Sequence, residues 1–179
     1  MKRFPQRIVP SLAVLLLPLL VGCGGGDGSN ARTAAPIPGN PAPAWEAETL
    51  DGTLVSLEDL RGEVVMLNVW ATWCAPCLRE MPALQAFHEA YADQGVRVVA
   101  ASVDRNSAVG QVRRFLDEHG ITFTVLLDPD QSIMSRFRTL GVPETFLIDR
   151  EGVIAHRWIG EFDPLDPSEA ARVEALIDP

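Results

Sequence analysis

The 179-residue chain holds only three cysteines and three histidines, which leaves little for metal chemistry. A zinc site takes four ligands, or three and a water. Cys74 and Cys77 supply two, no second cysteine pair follows, and His88, His119 and His156 have no short spacing to one another. The sequence also lacks an apolar run of the ~20 residues that a membrane-crossing helix needs. The stretch from Ile8 to Val21 is shorter and contains Pro10 and Pro18. From Gly24 to Pro43 there is no large apolar residue except Ile37, so composition predicts a segment that buries no core and stays flexible. No internal repeat is present. Cations are few: the net charge is −9, and without Lys2, Arg3 and Arg7 it is −12. Nucleic acid and anionic lipid surfaces are poor partners for such a chain.

What is present at the N-terminus reads as an export signal. Lys2, Arg3 and Arg7 precede the short apolar core. Leu20-Val21-Gly22-Cys23 then resembles the bacterial lipobox, in which the cysteine becomes the lipidated first residue of the mature protein. An ordinary cleaved signal or an uncleaved anchor are the other readings, and all three deliver the domain to the same side of the membrane. Lipidation of Cys23 would account for the odd cysteine. The expected organisation is a lipoprotein signal over residues 1–22, a lipidated cysteine and flexible linker over 23–43, and one domain over 44–179. The linker would span roughly 25 Å, and a domain of about 135 residues is an ordinary size.

Within that domain, Trp45 to Leu50, the Asp51-Gly52 turn and Thr53 to Ser56 predict a short hairpin. Val64 to Trp70 is almost wholly apolar, as in a strand covered on both faces. A helix over about Ala75 to Asp93 follows, with Leu78, Met81, Leu84, Phe87 and Tyr91 on one stripe and Pro82 as an expected kink. Further strands are expected over Val96 to Val103, Phe123 to Leu127, Thr145 to Asp149 and Val153 to Ile159. Helices are expected over Ala108 to His119, Ser132 to Phe137 and Ser168 to Ile177. This order indicates an α/β fold with a mixed central sheet flanked by helices.

Trp73-Cys74-Ala75-Pro76-Cys77 lies where the buried strand gives way to the helix. A disulfide between Cys74 and Cys77 closes too small a loop to staple a fold, so the pair reads as chemical. Cys74 falls at the helix N-terminus, where free N–H groups and the dipole favour a thiolate. Cys77 is one turn on and within reach of a mixed disulfide formed at Cys74. Pro76 is tolerated in the first turn.

The stretches VVMLNVWATWCAPCLREMP and GVPETFLIDREGVI together resemble the TlpA/ResA/DsbE-like group of membrane-anchored thioredoxins, over about residues 44–159. The resemblance implies a thioredoxin-like fold with an extra N-terminal β-hairpin and thiol–disulfide exchange outside the cytoplasm. It makes Cys74 the attacking thiol and Cys77 the resolving thiol. It makes Val142 and Pro143 the cis-proline loop that meets substrate backbone, beside Trp73 and Pro76. Glu144 follows as in the cytochrome-maturation members, which implies a specificity role in contact with substrate, and it reads equally as a solvated loop carboxylate. Asn68 stands where general thioredoxins carry an acidic residue. Proton handling then falls to Glu80, three residues after Cys77, which otherwise reads as an exposed glutamate complementing the helix dipole.

The implied protein is a monomer that needs no cofactor. Its partners are protein disulfides and dithiols such as apocytochrome c, with a membrane thiol reductase to supply electrons in an oxidising compartment. It would sit on the extracytoplasmic face of a bacterial membrane. Two other readings of the cysteine pair differ in their motifs. A peroxiredoxin-like peroxidase carries a hydroxyl three residues before its cysteine, where this chain has Ala71, with Thr72 one residue late. A copper-binding assembly factor carries C-x-x-x-C, and here the spacing is C-x-x-C.

Overall fold

Residues 34–177 are described by the computed structural model; the expected export signal and Cys23 lie outside them. The centre of the molecule is β3 (Val64–Trp70), buried at all seven positions. Such a strand must be covered on both faces, which is why it shows no polar alternation. It pairs in parallel with β4 (Val96–Ser102) and antiparallel with β6 (Glu144–Ile148). On one side β5 (Thr124–Leu127) extends the sheet in parallel. There β1 (Glu46–Thr49) and β2 (Leu54–Ser56) add the hairpin expected from Asp51-Gly52. On the other side β7 (Ile154–Ile159) closes the order β2-β1-β5-β4-β3-β6-β7. The mixed sheet and its flanking helices make a thioredoxin-like fold with an added N-terminal hairpin.

Helix α1 (Ala75–Tyr91) links β3 to β4, and α2 (Val109–His119) links β4 to β5. The short α3 (Ser132–Arg136) precedes β6, and α4 (Pro167–Ile177) ends the described chain. No helix among the described residues is long and apolar enough to cross a membrane. Helix α1 runs on through Pro82. Its buried face is rotated from the stripe the apolar residues suggested. Cys77, Glu80, Met81, Leu84, Gln85 and Phe87 are buried, while Leu78 and Tyr91 are only half-buried. Two polar side chains therefore lie inside, and both find partners. Gln85 bonds the Thr122 backbone and hydroxyl, and Glu80 belongs to the site.

The linker is the first correction. Residues 34–43, read from composition as part of a flexible tether, lie along the free edge of β7. Gly39 N–H donates to Ile154 O (2.8 Å), Ile154 N–H to Asn40 O (2.9 Å) and Ala42 N–H to Gly152 O (2.9 Å), and Pro41 bridges Val153. The strap holds by satisfying the backbone groups that an edge strand leaves open. Pro36 and Pro43 are buried in it and Ala42 packs on the core, so the scarcity of large apolar side chains did not forecast disorder here. At Gly152 the left-handed backbone (φ +75°) favours glycine, and a Cβ there would have to displace the Arg61 guanidinium 2.3 Å away.

Candidate active site

The strand-to-helix junction after β3 fixes the cysteines. Cys74 N–H donates to Ala71 O (3.2 Å), closing a turn that delivers Cys74 to the N-cap of α1. There its sulfur accepts the N–H of Cys77 at 3.2 Å. A sulfur in that position receives an N–H and the positive end of the helix dipole, which together favour the thiolate. The two sulfurs are joined in a disulfide. Pro76 stands in the first turn, where the helix has no use for its missing N–H. Both cysteines are buried, Cys77 more than Cys74 (1% against 5% exposed).

Sequence reasoning missed the residue that holds this turn. The buried Asp104 carboxylate accepts the Thr72 N–H (2.8 Å), the Thr72 hydroxyl (2.7 Å) and the Ser102 hydroxyl (2.9 Å). Asp104 follows the C-terminal end of β4, and in open α/β sheets functional groups gather beyond the carboxyl ends of strands. That position was the available signal. The contact also answers the peroxidase reading, because the Thr72 hydroxyl is turned to Asp104.

The loop before β6 comes to the same end of the sheet. Val69 lies opposite Glu144, so Pro143 is level with Trp70 and four residues short of Cys74 along the neighbouring chain. The Val142–Pro143 peptide bond is cis, and Pro143 O accepts the Gly160 N–H (3.0 Å). Pro143 is buried and Val142 half-buried, while Trp73 and Leu140 stand well out into solvent. The structure thus brings Trp73, Cys74, Pro76, Cys77, Val142 and Pro143 to one end of the sheet.

Glu144 departs from both sequence readings, solvated carboxylate and substrate contact. It is fully buried and ion-paired with the Arg157 Nε, and it accepts the Leu140 N–H (2.9 Å). Arg157 also donates to Pro36 O (3.3 Å) and Arg138 O (3.0 Å), and it lies over the Phe146 ring. One guanidinium therefore ties the strap, the 138–140 turn and β6 together. Glu144 points inward because its partner stands on β7, where residue 157 faces residue 146.

Glu80 takes the buried position and not the exposed one. Its Oε1 accepts the Asn68 Nδ2–H (2.8 Å), and the same amide donates to the Thr145 hydroxyl (2.8 Å). Asn68 on β3 and Thr145 on β6 are cross-strand partners, so strand register brings this group together. Burial pushes the Glu80 carboxyl up to about 8, aided by the nearby Glu161 charge, against hydrogen bonds from the Phe162 backbone, Thr145 and Asn68. A folded state that binds this proton more tightly than the unfolded chain gains stability that is complete below the ordinary value of 4.5. That gain is lost as pH rises through about 8. Glu80→Gln cannot ionise. Relative to wild type, it is expected to gain a few kcal/mol on going from roughly pH 5 to pH 9. Urea midpoints of both proteins at the two pH values measure this, and a difference independent of pH would mean the carboxyl is not held neutral.

Comparison with known proteins agrees with the site. The model of the AhpC/TSA family matches residues 38–157. The thiol-disulfide oxidoreductase ResA of Bacillus anthracis is 35% identical over 123 residues, 69% of this chain and 70% of that protein. The thioredoxin-like protein YneN of Bacillus subtilis is 35% identical over 152 residues, 83% of this chain and 89% of its own length. A solved structure from Chlorobium tepidum, described as thiol:disulfide interchange protein DsbE, superposes with a TM-score of 0.70 at 30% identity. It covers 76% of this chain and 95% of its own. With the C-x-x-C pair capping a helix on this sheet, and relatives named for the same exchange, the chain belongs to the AhpC/TSA family as a thiol–disulfide oxidoreductase of the ResA/DsbE-like kind.

Proposed function

We propose that this oxidoreductase is held by a lipid on Cys23 outside the cytoplasm and donates electrons to disulfides of exported proteins, apocytochrome c among them. In that role the Cys74 thiolate attacks a substrate disulfide, forms a mixed disulfide and releases one substrate thiolate. Cys77 loses its proton and attacks the Cys74 sulfur. The second substrate thiol leaves, and the enzyme keeps the Cys74–Cys77 disulfide. Two electrons have passed to the substrate, and a membrane thiol reductase must return them. Val142, Pro143, Trp73 and Pro76 frame the approach of substrate.

The observation that carries the direction is Glu80. It lies one turn past Cys77 on the same helix face, buried, with a strongly raised pKa. Its carboxylate form can accept the proton that Cys77 loses, and its neutral form can return one. Its ionised form works against a thiolate nearby. A pair whose reduced form is strongly stabilised is an oxidant; as pH rises through about 8 the Glu80 carboxyl ionises, opposes that stabilisation and favours a reductant. The test is the Cys74/Cys77 reduction potential in a redox-buffer titration. The expected value lies nearer the thioredoxin figure of about −270 mV than the about −120 mV of a strong oxidant, and Glu80→Gln raises it at about pH 9, where the wild-type carboxyl is ionised. A wild-type potential near the oxidant figure would overturn the donor role. Mass spectrometry of the protein made in a bacterial host reads the Cys23 lipid directly.

A further inference from the structure

Beside the cysteines lies a cleft of about 410 Å³ whose wall begins at Trp73 and Thr72 and continues through Arg105, Ser107, Gln111 and Gln131. Its chemistry is one-sided. Asp104, the only carboxylate in the lining, is buried with its oxygens turned to Thr72 and Ser102. Arg105, the next residue, is exposed, and among the described residues it has no ion-pair or side-chain hydrogen-bond partner. Arg79, the other arginine near the pair along α1, is already engaged by Glu161. Ser107 and Gln111 add neutral donors, and Gln131 is held in the left-handed region (φ 56°) with its amide bonded to Val103 O. A chain at −9 therefore sets an unpaired cation into a cleft one residue from its nucleophile.

We infer that this cleft is a specificity subsite for an acidic side chain near the target cysteine of a polypeptide substrate, with Arg105 as the residue that reads it. The inference rests on the thiol–disulfide reading and names which disulfides are preferred. A substrate chain passing Cys74 advances at most ~3.5 Å per residue, so a carboxylate within about three residues of the attacked cysteine reaches the cleft. Arg105 supplies a planar fork suited to a carboxylate, and the Trp73 ring gives the acidic side chain's methylenes an apolar wall. A lysine placed there meets a like charge and no acceptor other than neutral groups. The overall negative charge of the protein repels acidic substrates at long range, so the preference is local and set after encounter.

The experiment uses three cyclic disulfide peptides that differ only in having Glu, Gln or Lys two residues from the attacked cysteine. Wild type is expected to reduce the Glu peptide with kcat/KM about five- to tenfold above the Lys peptide, the scale of a partly exposed charge pair. Arg105→Gln levels the ratio and Arg105→Glu inverts it. Raising salt to about 0.5 M narrows the wild-type ratio. Arg97→Glu makes the same change in net charge at the far end of β4, where Arg97 pairs with Glu63, and should keep the wild-type ratio. Arg105 is exposed, so its variants fold. Equal ratios in wild type and Arg105→Glu, or an equal shift in Arg97→Glu, would overturn the subsite. Turnover of the Gln peptide reports the exchange reaction itself. Its loss would count against the thiol–disulfide reading and not against the cleft.

Discussion

Cys74→Ser is expected to lower reduction of a protein disulfide such as insulin by at least about a thousandfold. The sulfur at this position accepts the Cys77 N–H and caps α1, so the protein concentrates its thiolate-favouring features on one atom. A serine hydroxyl keeps the cap, since serine is a good N-cap residue, and loses the nucleophile because it stays protonated at neutral pH. The variant is thus folded and inert. Cys77→Ser behaves differently. Its Cys74 still forms the first mixed disulfide, but nothing resolves it, so substrate remains attached and turnover stops after one event. Non-reducing electrophoresis with intact-mass measurement separates the two: a trapped adduct in Cys77→Ser, none in Cys74→Ser. Adducts in both variants, or residual turnover within tenfold of wild type in Cys74→Ser, would reverse the assignment of roles.

The elements legible in the sequence were those that side chains define locally. The unbroken apolar run of β3, the Asp51-Gly52 turn and the cysteine at a strand-to-helix junction needed no partner to be read. Glu80 was half legible. Its spacing from Cys77 gave the face, but its depth depends on Asn68 and Thr145, which strand pairing brings across from β3 and β6. Glu144 was misread and Asp104 missed for one reason, which is distance along the chain. Glu144 looks like a loop carboxylate until Arg157, 13 residues on, is paired with it across β6 and β7. Asp104 looks like a surface aspartate until Thr72, 32 residues earlier, is bonded to it. The strap over residues 34–43 was lost because composition reports what side chains can bury. It says nothing of backbone groups completing an edge strand.

Arg157→Met is expected to cost about 3–5 kcal/mol of stability, far more than loss of any exposed ion pair in the molecule. Glu144 has no accessible side-chain surface and Arg157 only 15%, whereas Arg97 and Glu63 expose 44% and 31%. Removing one partner of the buried pair leaves Glu144 as an uncompensated charge with only the Leu140 N–H for company. It also frees the Pro36 and Arg138 carbonyls that the guanidinium holds. Glu144→Gln keeps an acceptor for Leu140 and should cost less, about 1–3 kcal/mol. The double variant Arg157→Met/Glu144→Leu separates a stranded charge from a lost clamp. Without the charge, apolar side chains can fill the space, so the double variant should be more stable than Arg157→Met alone. Urea unfolding of the three variants measures this. If Arg157→Met costs less than about 1 kcal/mol, the pair is no stronger than a surface bridge and does not hold the loop. If instead the double variant recovers stability but still reduces insulin with a raised KM, the guanidinium's bonds to the 138–140 turn position the cis-proline loop for substrate.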